Sequence, residues 1–467
     1  MPPRIKTEII NQFKKIAGPE NLLTRKEAME DYARDEGPAP AQLPEAVVKV
    51  ADTQEISALL KLANRKKFPV VARGGGTGVT GGAIPPAGGV VISLERMGEI
   101  AEIDEDNLMA VVQPGIILQD FQQAVEERGL FYPPDPNSLD SCTLGGNLAE
   151  DAGGPRAVKY GVTRDYITGV EAVLPSGEII EYGGKLVKNV TGYNLLHLLI
   201  GSEGTLGIVT RITLRLLAKP KFRVDLLVPF PSIQAAVECV AEILLRHLTP
   251  TVIELMDKKC ISISREVLEG AVGDPEAGAH LLIEVDGDDE AEVEKRYQRI
   301  GEICLNGGAK DVMVADTVSY QDKIWETRRK MRDSLKAVSP TKSSQDIVVP
   351  RMKISPLLAG IDKIAETSGL EIVCYGHAGD GNIHVNFLKR ELSDGVWEKA
   401  LKNATVKVFS LAVKLGGTIS GEHGIGLTKR NYLTMALKPA AIEAMRRIKE
   451  TLDPNAILNP GKIFPPS

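Results

Sequence analysis

Hydrophobic and polar positions follow two different rhythms along this chain, and the change falls near residue 220. Before that point short apolar runs are separated by turns, and after it longer helical stretches alternate with strands. The pattern predicts helices at 5–17, 53–66, 118–128, 233–246, 290–306, 320–337, 357–368, 396–415 and 440–452. It predicts strands at 46–50, 68–72, 90–94, 100–104, 109–112, 169–174, 178–182, 208–217, 223–228, 280–285, 347–349, 371–375 and 383–387.

The length of the chain and the positions of its Pro-containing links predict how these elements are divided into domains. At roughly 100–200 residues per domain, 467 residues correspond to two or three domains. A Pro-rich stretch at 37–44 and the Lys-Pro-Lys at 219–221 are typical of links between domains. We therefore expect an α+β protein with an N-terminal helical segment at 1–45, domains at 46–220 and 221–430, and a C-terminal segment at 431–467 that returns to the first domain.

Composition narrows the class of protein. The 56 Lys and Arg against 62 Asp and Glu give a net charge of −6, which argues against a globally basic nucleic-acid binder. The five scattered cysteines form no CxxC pair, so we expect no disulfide framework and a reducing compartment. No apolar run reaches the 18 residues of a membrane helix, and the N-terminus lacks a signal-like apolar core. The expectation is a cytoplasmic protein, with docking at a membrane surface left open.

The segment Arg73–Gly82 is the first of three glycine clusters. Its Gly76-x-Gly78-x-x-Gly81 spacing matches the dinucleotide fingerprint, but Pro85 and Pro86 follow where that fingerprint requires a helix. A nicotinamide site is therefore not favoured. What remains is a nest of backbone N–H groups suited to a pyrophosphate, with Arg73, Thr77 and Thr80 as additional polar groups.

Two further glycine clusters lie in the same 170-residue block. One spans 142–154 within a loop, 133–161, that is too long for a compact domain unless it is functional, and the other spans 201–207. Glycine lets the backbone approach a flat ligand closely. Three such clusters predict a large cofactor that is held along its whole length.

These clusters, with Val112–Gly115 and Pro133–Ser138, resemble the flavin-binding domain of vanillyl-alcohol-oxidase-type FAD enzymes. The resemblance implies a two-part FAD-binding domain followed by an α+β cap domain for the substrate. It implies non-covalent FAD, because Thr77 stands where many relatives have a tethering His; Cys142 stays open as an alternative tether. The implied cofactor-binding residues are Arg73, Gly74, Gly75, Gly76, Thr77, Gly78, Pro134, Asn137, Ser138, Thr143, Gly146, Gly153, Ile208, Val209 and Asn459.

Three of the six histidines lie in two glycine-flanked motifs in the second half of the chain. His377 and His384 belong to Gly376–Phe387, where period-two alternation places His384 on one strand face and the intervening turn folds His377 back beside it. Glu422 and His423 form part of Ser420–Gly426. Two His and one Glu suit a divalent ion such as Zn, Mn or Fe. The alternative is a set of hydrogen-bonded polar core residues.

From about residue 40 to residue 464, the chain resembles the D-2-hydroxyacid dehydrogenase branch of the same superfamily. The branch includes D-lactate dehydrogenases, D-2-hydroxyglutarate dehydrogenases and the flavin subunit of glycolate oxidase. The resemblance implies His377, His384 and Glu422 as metal ligands and His423 as catalytic base. It also implies substrate contacts from Asn386, from Arg328 to the substrate carboxylate, and from Arg332 one turn later. For Arg328 the alternative is a solvated basic helix face.

The implied reaction is oxidation of a small D-2-hydroxy acid to the 2-keto acid. A hydride passes to flavin N5, and the electrons then pass to an electron-transferring flavoprotein, an iron–sulfur subunit or a quinone. Two alternatives are a non-redox FAD-containing synthase and a subunit that only carries flavin within a complex.

One position bears on substrate size. Relatives that oxidise D-2-hydroxyglutarate have a Lys where this chain has Ser344, and we expect Lys342 to sit roughly 6–7 Å away along the strand. An unpaired second carboxylate in a closed site is costly to desolvate. The sequence therefore predicts D-lactate first and glycolate second, with D-2-hydroxyglutarate as the alternative if Arg332 or Lys342 supplies the missing cation.

Overall fold

The computed structural model describes residues 5–315 and 317–466; residues 1–4, 316 and 467, which include the outer ends of both expected terminal segments, lie outside this description. Its helices are α1 Thr7–Ala17, α2 Thr53–Lys66, α3 Leu118–Glu126, α4 Leu144–Glu150, α5 Ala157–Tyr160, α6 Leu195–Leu199, α7 Ile233–Leu245, α8 Lys258–Val267, α9 Glu290–Asn306, α10 Val318–Arg329, α11 Met331–Val338, α12 Ile354–Ser368, α13 Asp394–Lys414, α14 Leu433–Ala436 and α15 Pro439–Leu452.

The strands are β1 Leu22–Leu23, β2 Ala46–Lys49, β3 Val70–Arg73, β4 Val90–Ser93, β5 Ile100–Asp104, β6 Met109–Val112, β7 Leu130–Phe131, β8 Ile167–Val173, β9 Ile179–Gly183, β10 Ile208–Arg215, β11 Leu217–Ala218, β12 Phe222–Phe230, β13 Val252–Asp257, β14 Ala279–Gly287, β15 Met313–Ala315, β16 Lys342–Val348, β17 Glu371–His377 and β18 Asn382–Leu388.

Two sheets make up most of the part before residue 220. The first has the order β1-β2-β4-β3, with parallel pairing of β2, β4 and β3 and with α2 connecting β2 to β3. Helix α2 begins at Asp52, whose side chain accepts the N–H of Glu55, and it ends at Lys67 in the left-handed conformation. The second sheet is antiparallel with the order β5-β6-β10-β8-β9.

A seven-stranded antiparallel sheet organises the second half. Its order is β15-β12-β14-β13-β17-β18-β16, so β13, β17, β18 and β16 lie side by side at one end. Helices α7, α9, α12 and α13 share one apolar core with this sheet, and α8, α10 and α11 share a second. Both faces are covered, so nearly every residue of β13, β14, β17 and β18 is buried, including their polar residues.

Most predicted elements are confirmed, several of them to the residue, among them α2, α9, β5 and β6. The single helix expected at 320–337 was wrong, because the backbone at Lys330 (φ −78°, ψ 4°) ends α10 before α11 begins. The loop expected at 133–161 contains α4 and α5. The pattern also missed β13 and α8, although Val252 and Ile253 are β-branched residues typical of strands and Asp257 caps α8 by accepting the N–H of Cys260.

The C-terminal segment joins the first sheet. Asn459 donates its backbone N–H to the carbonyl of Val70 at 2.7 Å, and Val70 donates to the carbonyl of Ile457 at 2.7 Å. All five cysteines are free and buried. Across 5–315 and 317–466, no helix combines the length and the apolar character needed to cross a bilayer.

Candidate active site

One cavity of about 690 Å³ lies where the glycine clusters of the first half meet the histidine motifs of the second. This volume is typical of sites for cofactors and small molecules. The cavity brings together nearly all of the predicted site residues. Its lining includes Arg73, Gly74, Gly75, Gly76, Thr77, Gly78, Asn137, Ser138, Thr143, Gly146, Gly153, Ile208, Val209, Arg328, Arg332, His377, His384, Asn386, Glu422, His423 and Asn459.

Pro134 is the predicted cofactor residue that does not line this cavity. It is buried behind the wall, and its carbonyl accepts a hydrogen bond of 2.9 Å from Gln122 Nε2. Pro136, two residues later, lines the cavity instead. The predicted loop therefore reaches the cavity through Pro136, whereas Pro134 lies on the buried side of the loop.

The first two glycine clusters pack directly against each other. A Cβ on Gly74 would lie 2.3 Å from Thr143 Oγ1, and a Cβ on Gly75 would lie 2.3 Å from the carbonyl oxygen of Ser141. Thr143 in turn caps α4 by accepting the N–H of Gly146. Only glycine permits this approach, so the glycines shape the cavity wall.

The proposed metal ligands come together at the ends of β17 and β18. Glu422 Oε1 lies 3.6 Å from His377 Nε2 and 3.4 Å from His384 Nε2. The predicted folding-back of His377 is confirmed, since its ring lies 5.3 Å from that of His384. Donor atoms of the three residues all lie within 4.8 Å of one another, close enough for one ion.

Asp346 holds the loop that carries Glu422 and His423. Its Oδ2 accepts the backbone N–H groups of Gly421, Glu422 and His423 at 2.8, 3.0 and 3.0 Å. Burial opposes ionisation here, but the charges of His423 and Lys429 outweigh it and hold the pKa of Asp346 well below its ordinary value. Asp346, His384 and His423 form a second group with metal-ligand spacing. A charged carboxylate thus anchors the loop from below.

The first half of the chain fixes the same loop from the other side. Thr80, which sequence reasoning assigned to the cofactor, instead donates its hydroxyl to the carbonyl of His423 at 3.0 Å. The carboxylate of Glu203 accepts the N–H groups of Ile425 and Gly426. Residues from both halves therefore determine where His423 stands.

Glu254 is a site residue that sequence reasoning missed. It lies on β13 directly opposite His377 on β17, and its fully buried carboxylate contacts His377 Nδ1 through one oxygen. Its other oxygen accepts a hydrogen bond of 2.6 Å from Arg328 Nε. An acidic residue inside an apolar strand was the available signal. Such a carboxylate orients a ligating imidazole and increases its basicity.

The electrostatics of this cluster follow from burial and pairing. Burial opposes ionisation of Glu254, but Arg328 and His377 lower its pKa overall. Glu254 in turn raises the pKa of His377 well above its usual value, against the effect of burial. Burial lowers the pKa of His384 to about 3, which leaves this imidazole neutral. For Glu422, burial is outweighed mainly by His377, and the pKa is lowered to about 2.

Arg328 is not part of a solvated basic face, so that alternative was wrong. Its side chain is 7% exposed, pairs with Glu254 and lies 4.6 Å from the centre of the Tyr375 ring. No partner for Nη1 occurs within the described ranges, and the residue lines the cavity. Arg332 also lines the cavity and is held by Glu36 at 2.6 Å.

The side chain of Lys342 spans the expected separation of its strand position from that of Ser344. Lys342 Nζ donates to Ser344 Oγ at 3.2 Å, because both residues share one face of β16 and the long side chain reaches along the strand. Burial, followed by the nearby charges of Arg332 and Lys336, lowers the pKa of Lys342 to about 8. These three cations line one end of the cavity.

Cys142 lines the cavity as well. Burial raises the pKa of its thiol, so the reactive thiolate is disfavoured. This environment gives no support to Cys142 as a tether for a cofactor.

Comparison with known proteins places both halves of the chain. Residues 44–183 match the family described as "FAD binding domain", and residues 219–463 match "FAD linked oxidases, C-terminal domain". The glycolate oxidase subunit GlcD of Bacillus subtilis is 41% identical, covering 98% of this chain and 97% of that protein. A D-lactate dehydrogenase of Anaerostipes hadrus is 38% identical, and a D-2-hydroxyglutarate dehydrogenase of Stutzerimonas stutzeri is 34% identical; each comparison covers 98% of both chains.

Solved structures show the same fold. p-Cresol methylhydroxylase superposes with a TM-score of 0.82 at 17% identity, over 99% of this chain and 98% of that one. The fold is therefore the vanillyl-alcohol oxidase type predicted from the glycine clusters, with mixed helices and antiparallel sheets. With both halves matched and relatives at about 40% identity over nearly its full length, the chain belongs to the FAD-linked oxidase family, a family of FAD-dependent oxidoreductases.

Proposed function

We propose that this protein oxidises a small D-2-hydroxy acid to the 2-keto acid with FAD as the electron acceptor. The observation that carries the proposal is a single cavity bounded on one side by the three glycine clusters and on the other by His377, His384, Glu422 and His423. The names of the relatives, a glycolate oxidase subunit and a D-lactate dehydrogenase, point to the same class of substrate.

The residues of the cavity fit FAD. At Gly74 and Gly75 the backbone lies against Thr143 and Ser141 with no room for a side chain, and Glu150 Oε2, in a residue that lines the cavity, is buried without a hydrogen-bond partner among the described residues. Such atoms are expected to find a partner in a bound ligand. The backbone N–H groups of 74–78 would hold the pyrophosphate, and the absence of a His from this loop favours non-covalent binding. FAD supplies the two-electron acceptor.

The histidine cluster fits one divalent ion. His377 Nε2, His384 Nε2 and Glu422 Oε1 offer two imidazoles and a carboxylate, and Glu254 provides the outer carboxylate on His377. We assign His377, His384 and Glu422 as the ligands, with Zn, Mn and Fe all compatible with this donor set. The ion supplies Lewis acidity toward the substrate hydroxyl and carboxylate.

The remaining roles fall to side chains beside this cluster. His423 lies 3.6 Å from Glu422 and 4.0 Å from Asp346, distances too long for hydrogen bonds, so its ring remains able to take the hydroxyl proton as a general base. Arg328 offers Nη1 to the substrate carboxylate. Asn386 donates its amide hydrogens to the carbonyls of Val373 and His384, and its Oδ1 accepts the hydroxyl of Ser344 at 2.6 Å. A carbonyl oxygen has two acceptor positions, so Oδ1 keeps one for the substrate.

The choice of acid rests on the cationic end of the cavity. Ser344 in place of Lys supports a monocarboxylate, D-lactate first and glycolate second. The position of Lys342 beside Ser344, with Arg332 and Lys336 close by, supports D-2-hydroxyglutarate as the second candidate. The reduced enzyme would pass electrons to a flavoprotein, an iron–sulfur subunit or a quinone.

Anaerobic addition of substrate tests the proposed reaction. D-lactate should bleach the flavin absorbance, and His423→Ala should slow the bleaching by about 10²- to 10⁴-fold while FAD stays bound. L-lactate is the matched control. A flavin that no D- or L-2-hydroxy acid bleaches would contradict the proposal and favour the non-redox synthase.

Metal removal tests the ligand assignment separately. Chelation should abolish flavin reduction by substrate without releasing FAD, and Zn²⁺ or Mn²⁺ should restore it. Full activity in metal-free protein would refute the role given to His377, His384 and Glu422.

The two substrate candidates are separated by kcat/KM for D-lactate and D-2-hydroxyglutarate with a dye acceptor. If D-lactate is the substrate, Lys342→Met should change its kcat/KM little. A preference for the dicarboxylate that Lys342→Met abolishes would instead assign Lys342 to the second carboxylate.

A further inference from the structure

Glu150, the last residue of α4, lines the same cavity but has no role in the reaction described so far. Its Oε2 atom is buried and makes no hydrogen bond within the described part of the chain. Burying a polar atom without a partner costs free energy, and native proteins pair nearly all such atoms. Oε2 faces Gly424, and Oε1 faces Gly82 of the first glycine cluster, so the carboxyl group stands between the glycine wall of the cavity and the loop that carries His423.

A second carboxyl group, that of Glu203, shares the space around Glu150. Gly424 lies between them: a Cβ on this residue would stand 2.2 Å from Glu150 Oε2 and 3.1 Å from Glu203 Oε1. Glu203 already accepts two backbone N–H groups, from Ile425 at 2.8 Å and Gly426 at 2.7 Å. One of the two carboxyl groups is thus solvated by the protein, and the other is not.

The cations that act on Glu150 are bound to other groups. Lys462 Nζ donates to the carbonyls of Gly82 and Ile84 and to Asn459 Oδ1, at 2.7–2.9 Å. Lys429 Nζ donates to the carbonyl of Asp346 and to the hydroxyl of Ser420. A third acid, Asp35, adds negative charge to the surroundings of Glu150. Within 5–315 and 317–466, no Lys, Arg or His forms an ion pair with Glu150.

These contacts decide which carboxyl group keeps a proton. Two carboxyl groups in one buried space do not ionise together, because each charge disfavours the other. Burial raises the pKa of Glu203 as well, but hydrogen bonds from two N–H groups oppose this effect and favour its charged form. Burial, followed by the charge of Glu203, raises the pKa of Glu150 well above its ordinary value. Glu150 is then neutral and carries an O–H donor at the cavity wall.

We propose that neutral Glu150 donates a hydrogen bond to the bound flavin and thereby raises the reduction potential of the cofactor. The inference rests on the proposed placement of FAD in this cavity. Reduction adds negative charge to the flavin, so a neutral donor stabilises the reduced form more than the oxidised form. An ionised Glu150 would have the opposite effect.

The variants Glu150→Gln and Glu150→Leu distinguish the effect of the hydrogen-bond donor at this position from the effects of side-chain charge and size. Gln keeps a neutral donor of similar size, so FAD affinity and midpoint potential should stay near the wild-type values. Leu removes the donor, so FAD should bind roughly 2- to 10-fold more weakly. If the affinity for reduced FAD falls about tenfold more than the affinity for oxidised FAD, the midpoint potential falls by about 30 mV.

Both quantities are measured without a hydroxy acid, by FAD titration of apoprotein and by spectroelectrochemistry with a reference dye. The proposal is overturned if Glu150→Gln raises the potential, which would show that Glu150 is charged. It is also overturned if Glu150→Leu matches the wild type in affinity and potential. Because no substrate is used, either result leaves the proposed oxidation of hydroxy acids untouched, and failure of that oxidation leaves these measurements interpretable.

Infrared difference spectroscopy on electrochemical flavin reduction decides the question if the Leu variant does not fold. The wild type should show a perturbed carbonyl stretch of a protonated carboxyl group, and Glu150→Gln should abolish it. Glu284→Gln, which replaces a buried carboxyl group outside the cavity, should retain the signal. A signal that survives in Glu150→Gln would refute the assignment.

Discussion

Glu254→Gln should weaken divalent-metal binding by about 10- to 100-fold while FAD affinity stays at the wild-type level. The carboxylate of Glu254 is fully buried, and one of its oxygens contacts Nδ1 of His377, the nitrogen that faces away from the proposed ion. A carboxylate in this position orients the imidazole and makes it a better ligand, and losing one typically reduces metal affinity by that factor. In free energy this is about 1.4–2.7 kcal/mol.

The same substitution also affects stability, because Glu254 is the partner of Arg328. Arg328 is 7% exposed, and the Glu254 contact is its ion pair. Breaking a buried pair by removing one charge costs about 3–5 kcal/mol. Gln keeps an oxygen that can accept one hydrogen bond, so we expect a loss near the lower end, about 3 kcal/mol.

Two further variants separate the metal effect from the stability effect. Glu254→Gln combined with Arg328→Met removes both charges, which should recover stability but not metal affinity. Glu284→Gln changes a buried carboxyl group on the neighbouring strand β14, where it contacts no histidine among the described residues, and should leave metal affinity unchanged.

Metal affinity is measured by competition with a chromophoric chelator, with Zn²⁺ and Mn²⁺, on FAD-loaded protein, and stability by chemical denaturation. Wild-type affinity in Glu254→Gln would refute the role of Glu254 as an outer-shell carboxylate. Recovery of metal affinity in the double variant would show that the loss came from the unpaired Arg328 instead.

Three other predictions concern stability, the histidine loop and the cofactor. Burial, with a further contribution from Asp225, raises the pKa of Glu284 to about 7 despite the opposing charge of Arg156. Between about pH 5 and this pKa, the folded protein holds a proton that the unfolded chain has released. The free energy of unfolding, measured relative to Glu284→Gln, should therefore fall as pH rises from about 5 to about 8, by about 1.4 kcal/mol per pH unit at most. A pH-independent difference in denaturation would refute this. Gly424→Ala should lower the free energy of unfolding by about 1–3 kcal/mol and slow flavin reduction, because Gly424 has φ +72° and no room for a Cβ. Gly395→Ala is the control and should be tolerated, because a Cβ at Gly395 would stand in open space. Acid precipitation should leave the FAD in the supernatant; flavin retained in the pellet would contradict non-covalent binding.

Local patterns in the sequence were enough to predict most of the residues that line the cavity. Glycine clusters and histidine motifs are short, local patterns, and their residue types restrict what they can bind whatever the fold around them. The alternation in Gly376–Phe387 was enough to bring His377 beside His384, because a strand, a tight turn and a strand leave little freedom. Strongly periodic helices such as α2 and α9 were predictable for the same reason.

Tertiary structure alone decided which residues support these motifs. The pairing register of the seven-stranded sheet places Glu254 opposite His377, Asp346 opposite His384 and Ser344 opposite Asn386, although the partners are 38 to 123 residues apart. Register depends on the packing of the whole sheet and on which face is buried, so no local pattern contains it.

The contacts between the two halves of the chain could not be predicted from the sequence either. The approach of Thr80 and Glu203 to the His423 loop, and of Glu150 to Gly424, follows from the docking of one half on the other. The reach of Lys342 to Ser344 depends on a side-chain rotamer adopted in half-buried surroundings at the cavity. Spacing along a strand gives the distance between backbone positions, but burial and neighbouring charges decide where a long side chain ends.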